Sequence, residues 1–146
     1  MKERFETFTL LLSKINRSIR KIKTEEMNEF NLKSNHVSCL FYLFKMGKLT
    51  ATDLCELCQE DKATTSRLLE HLESNNYVTC DSSQKKRYNS YFVLTEKGVK
   101  LGKFISDKIN KILDEASIGL TEENRKIMYD SLTLISNNLD KICGNY

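Results

Sequence analysis

Residues 50–74 read TATDLCELCQEDKATTSRLLEHLES, and the organisation of the chain follows from how this stretch folds. Thr50, with Asp53 three residues on, makes a near-capping box at the start of a short helix whose core side is Leu54 and Leu57. Asp61 is the expected cap of a second, longer helix running from about Lys62 to Ser74. Thr65, Leu68, Leu69 and Leu72 recur at helical spacing on its core side. Two short helices joined by a tight turn form a helix-turn-helix pattern. Asn75 and Asn76 end the second helix, since asparagine tolerates the left-handed conformation a helix end needs.

Working outward, residues 35–46 carry Val37, Cys39, Leu40, Leu43 and Phe44, the pattern of a buried helix, and Met46, Gly47 and Lys48 make a turn. Downstream, Tyr77–Cys80 and Tyr91–Leu94 are rich in β-branched and aromatic residues, as strands are. The polar, basic stretch Asp81–Ser90 between them predicts a β-hairpin with a long exposed tip, a wing. Thr95-Glu96-Lys97-Gly98 opens another helix, with Leu101, Phe104, Ile105, Ile109 and Ile112 as its apolar positions. Both ends of the chain carry narrow apolar seams at alternating three- and four-residue spacing. Phe5, Phe8, Leu12, Ile15, Ile19 and Ile22 form the first. Met128, Leu132, Ile135, Leu139 and Ile142 form the second, behind a helix start at Thr121 with Glu122 and Glu123. Such seams pack helix against helix, and two of them flanking a small module predict a dimer.

Composition narrows the class. The chain has 146 residues, 40% hydrophobic and 29% charged, with no proline and five glycines. That suits an ordered, mostly helical protein, and excludes collagen-like chains and proline-rich linkers. The longest apolar run, Cys39 to Phe44, is far short of the roughly twenty residues of a membrane span. Phe8–Leu12 is too short for a secretory segment, and five cysteines, an odd number, argue for free thiols. The expectation is a soluble protein of the reducing cytoplasm. Net charge is only +3, but it is unevenly spread. Residues 85–103 hold six basic groups against one acid, and residues 1–23 hold seven against two. Local basic stretches beside a near-neutral body point to a polyanionic partner.

The side chains that would meet that partner follow from the pattern. On the helix from Lys62, positions 62, 63, 66, 67 and 70 lie opposite the leucine face. A helix fits the DNA major groove and its N-terminal residues reach base edges, so Lys62, Ser66 and Arg67 are base and phosphate candidates, with Thr64 at the margin. Lys85, Lys86 and Arg87 on the wing suit phosphate contact, Arg87 also the minor groove. His71 falls at the edge of its helix rather than on the reading face. Cys55 and Cys58, with His36 and Cys39 on the preceding helix, have spacings that in principle hold zinc. The three cysteines fall on apolar positions, however, which favours packing as small hydrophobes over a metal or cofactor. Catalytic motifs are lacking: there is no G-x-S-x-G, no phosphate loop and no H-E-x-x-H.

The strings are more specific than the pattern. Leu49-Thr50, Leu54-Cys55, Asp61-Lys62-Ala63-Thr64-Thr65-Ser66-Arg67-Leu68, Leu72-Glu73 and Leu94-Thr95-Glu96-Lys97-Gly98 together resemble the MarR family over nearly the whole chain. The chain departs from that family where Cys55 replaces an alanine, Thr65 an aliphatic and Asn76 a glycine. The resemblance implies a mainly α (α+β) fold in a single domain, 1–146. A winged helix-turn-helix would occupy about 35–98, between dimerisation helices at about 1–30 and 115–146. It also implies a homodimeric transcriptional regulator, not an enzyme, reading a pseudo-palindromic double-stranded DNA operator through Lys62, Thr64, Ser66, Arg67, Lys85, Lys86 and Arg87. By the same analogy it is a repressor, released by a small-molecule effector between the dimerisation helices and the winged module, near Phe8, Leu12, Phe41 and Tyr42. Two other readings stay open: a winged module turned to a protein partner, and a thiol- or metal-responsive sensor built on Cys55 and Cys58.

Overall fold

A computed structural model describes residues 3, 4, 6–81 and 89–146. The chain divides into two compact units, residues up to Ser106 and residues Asp107–Tyr146.

The first unit opens with a π-helical turn, Glu6–Leu10, that leads into α1, Leu11–Met27. A 3₁₀ turn, Asn28–Phe30, follows, then α2, Ser34–Met46. Gly47, at φ +85°, ends α2, and the backbone there bends in a way only glycine adopts readily. The chain continues as β1 (Lys48–Thr50), α3 (Ala51–Cys58), α4 (Lys62–Ser74), β2 (Val78–Cys80) and β3 (Tyr91–Leu94), and enters α5 (Glu96–Ala116). The second unit holds the rest of α5 and all of α6 (Glu122–Cys143). No helix among the described residues is long and apolar enough to cross a membrane.

One strand was not anticipated. Lys48 does not close a turn but begins β1, which pairs antiparallel with β3 in the register Lys48↔Val93, Leu49↔Phe92 and Thr50↔Tyr91. β2 pairs with the other edge of β3, so the sheet order is β1-β3-β2. Three residues are too few to show alternation, and the partner lies far along the chain.

The core of the first unit is apolar and continuous. Val37, Cys39, Leu40 and Leu43 of α2 are buried, with Leu54 of α3, Leu68, Leu69 and Leu72 of α4, Val78, Phe92, Leu101 and Ile105. Leu57 and Phe44, both expected in the core, are only half-buried. Each fully buried leucine is worth about 1.5–3 kcal/mol relative to an exposed one.

The Leu94–Gly98 string has a mechanical explanation. Asn76 takes φ +60°, and the Tyr77 N–H reaches back to the Leu72 carbonyl at 2.9 Å, closing α4 as a glycine would. Thr95 then grips this end. Its hydroxyl donates to the Asn76 carbonyl at 2.6 Å and accepts from the Gly98 N–H at 3.0 Å, so it both caps α5 and ties it to α4. Lys97 Nζ donates to the Asn75 carbonyl at 2.9 Å. A Cβ on residue 98 would sit 2.0 Å from the Tyr77 carbonyl oxygen, so only glycine allows this close approach.

Candidate nucleic-acid interface

The helix-turn-helix forms because each of its helices is capped by its own sequence. At α3 the Asp53 N–H donates to Thr50 Oγ1 (3.2 Å) and the Thr50 N–H to Asp53 Oδ2 (2.9 Å), a complete capping box. Gln59, at φ +56°, ends α3 and starts the turn. Asp61 caps α4 by accepting from the Thr64 N–H at 2.7 Å. Hydrogen bonds from Thr64 hold the Asp61 carboxyl below the usual carboxylate range, and the Arg67 guanidinium adds to this.

This geometry sorts the residues of α4 as the spacing predicts. Thr65, Leu68, Leu69 and Leu72 are buried, whereas Lys62, Ala63, Ser66, Arg67 and Glu70 are exposed. Thr64 is half-buried at the margin. Arg67 Nη2 donates to Thr64 Oγ1 at 3.3 Å. Asp61, Thr64 and Arg67 thus form one chain of contacts along the first turns of α4, and the arginine is held over the exposed face. Lys85, Lys86 and Arg87 lie outside the described residues, as does Phe5 of the first seam.

The three cysteines of α2 and α3 are partly or wholly withdrawn from solvent, whereas Cys143 is exposed. Cys39 is buried, and Cys55 and Cys58 are half-buried. Burial raises the thiol of Cys58 to about 11 and that of Cys39 further still. Such thiols are poor nucleophiles at neutral pH. Cys55 Sγ donates to Thr65 Oγ1 at 3.2 Å. Two positions that depart from the MarR pattern therefore meet: the polar Thr65, 2% exposed, is matched by the polarisable Cys55 on the facing helix. Among the described residues, no three His, Cys, Asp or Glu side chains are grouped to hold a metal ion.

Sequence reasoning missed two features. His71, half-buried at the edge of its helix, stacks on His36, with ring centroids 4.4 Å apart. Only the chain's having two histidines could have prompted the search. The second feature is a cavity of about 310 Å³ lined by Phe30, Tyr77, Lys97, Lys100, Leu101 and Phe104, none of them among the four residues named for an effector. Lys97 Nζ lies 4.3 Å from the Tyr77 ring centroid, and Phe30 meets Phe104 edge-on.

Phe8, Leu12, Ile15, Ile19 and Ile22 lie between 37% and 46% exposed in the single chain. In the second unit no residue of α6 is buried, and Leu132, Leu139 and Ile142 are exposed.

No protein-family model matches the chain. It is similar to the HTH-type transcriptional regulator SarZ of Staphylococcus epidermidis, 27% identical over 125 residues that span 86% of this chain and 84% of the relative. Among solved structures it resembles a MarR protein from Peptoclostridium difficile (TM-score 0.84, 18% identity, 97% of this chain and 92% of that one). It also resembles MepR of S. aureus, solved as a complex with DNA (TM-score 0.79, 21% identity, 94% and 99%). Helices and helix-turn-helix agree with what the sequence motifs imply, and the chain has the winged-helix fold of the MarR-family regulators.

Proposed function

We propose that this chain is a DNA-binding transcriptional regulator, not an enzyme, that reads a pseudo-palindromic operator as a homodimer with one α4 in each half-site. The observation that carries this reading is the split face of α4. Its leucines are buried, while Lys62, Ser66 and Arg67 face solvent, with Arg67 held by Thr64. The relatives are helix-turn-helix regulators, and MepR has been solved on DNA. The exposed seams of α1 and α6 support association with a second copy, whose symmetry would set half-sites about one helical turn apart. Lys85, Lys86 and Arg87 supply phosphate contacts from the wing. Such a protein works in the cytoplasm, beside the DNA. By analogy with the regulators it resembles, it represses and releases DNA when a small effector binds. The 310 Å³ cavity, lined by Phe30, Tyr77, Leu101 and Phe104 together with Lys97 and Lys100, suits a small amphipathic anion.

The test is selection of binding sites from random duplex DNA, then affinity against salt for the winner and a scrambled control. An inverted repeat should be recovered, and Arg67→Ala should cost about 1–3 kcal/mol of discrimination at one position per half-site. Neutralising Lys85, Lys86 and Arg87 should make the slope of log affinity against log salt shallower by about 0.9 for each phosphate they no longer neutralise. If no sequence is enriched while the dimer is intact, the DNA reading fails and a protein partner for the winged module takes its place.

A further inference from the structure

The two histidines of the chain lie on different helices and stack on one another, with ring planes 26° apart. His36 stands in the first turn of α2 and is buried. Its Nδ1 accepts from the Lys33 N–H at 2.9 Å, so that nitrogen carries no proton. His71 stands on α4, four residues after Arg67. Its Nε2 lies 3.1 Å from the Asn31 carbonyl, an acceptor only, so Nε2 is the donor. Asn31, at φ +56°, ends the turn that leaves α1. At this one point α4 is fastened both to the start of α2 and to the exit of α1.

The bond set is complete only while His36 is neutral. A proton on its Nδ1 would break the Lys33 contact and place a buried cation against His71. The charges acting on His36 are those of His71, from α4, and Lys33, from the start of α2, and both oppose protonation. Arg67 stands one turn before His71 on α4 but on the exposed face, bonded to Thr64, and Glu29 stands in the turn ahead of Asn31. Burial first, then His71 and Lys33, bring His36 from its ordinary 6.5 down to about 4. The unfolded chain therefore takes up this proton before the folded chain does. The stability it contributes is complete above about pH 6.5 and is lost as pH falls toward about 4.

We propose that the His36–His71 stack is a proton-operated latch, which holds the reading helix in place when neutral and loosens it, lowering DNA affinity, when protonated. The DNA part rests on the function proposed above, so the test reads the latch with and without DNA. In the full chain, NMR titration of the two imidazole Cε1–H signals should show His36 neutral down to pH 5. The thermal midpoint of the wild type should fall below pH 6.5 and that of His71→Gln should fall less, since glutamine keeps an N–H donor for Asn31 without titrating. Affinity for a mixed-sequence DNA duplex should hold while His36 stays neutral and drop in the wild type, by up to about tenfold per pH unit, only as pH falls below about 4, staying flatter in His71→Gln. The conservative His36→Asn/His71→Gln pair should be flatter still. Titration of folded His36 near 6.5, or identical pH profiles for wild type and His71→Gln, would overturn the latch. If the midpoints separate as expected but no duplex binds at any pH, the DNA-reading function and its control by the latch both fall, and only the stabilising contact stands.

Discussion

Helices α4 and α6 are both amphipathic, yet the single chain treats them in opposite ways. α4 has thirteen residues and buries Thr65, Leu68, Leu69 and Leu72 within its own unit. α6 has twenty-two and buries none, although its seam repeats as regularly. The same periodicity therefore encodes two different things. In α4 it records a core that the chain completes alone. In α6, as in the seam of α1, it marks apolar side chains left exposed by their own unit, which the proposed dimer would cover.

The contrast can be broken most forcefully at α4. Leu72→Ala removes a fully buried side chain and should cost about 2–5 kcal/mol in denaturant unfolding, by the same amount at every protein concentration. Ile19→Asp, on the α1 seam, should act otherwise. It should shift sedimentation from dimer to monomer and cost about 1.5–3 kcal/mol only where the dimer would have formed. An unfolding midpoint that does not depend on concentration in the wild type would remove the distinction. The helix caps provide the smallest and sharpest comparison. Thr50 has both bonds of a capping box, whereas Thr121 accepts a single bond from the Asn124 N–H at the exposed start of α6. Thr50→Ala should therefore cost about 1 kcal/mol and Thr121→Ala less, as read by thermal unfolding.

What was legible in the sequence follows the same division. The face of α4 could be read residue by residue, because helical spacing and burial coincide there. The cap residues Thr50, Asp61 and Thr121 were legible for a similar reason, since a cap acts on backbone three residues away. β1 was hidden because its evidence lies in pairing with Tyr91–Val93, and nothing within Lys48–Thr50 announces that partner. The stack of His71 on His36 was hidden for the same cause: the partner sits on another helix, and helix periodicity is silent about which edge residues of two helices meet. Phe104 was read as an apolar position of α5, and it is 43% exposed and meets Phe30 edge-on, a pairing its spacing does not announce. Of the DNA-facing candidates, exposure on α4 agrees with the spacing argument, and contact with bases remains for the selection experiment.

The order of the sheet carries one more consequence. Among the described residues both outer strands, β1 and β2, are three residues long, and only the central β3 is paired on both sides. A strand from another molecule adding to either edge would gain very few backbone hydrogen bonds, and at β1 it would meet Lys48, whose ammonium is held 4.6 Å from the Tyr91 ring centroid. These edges are poor templates for further β-pairing.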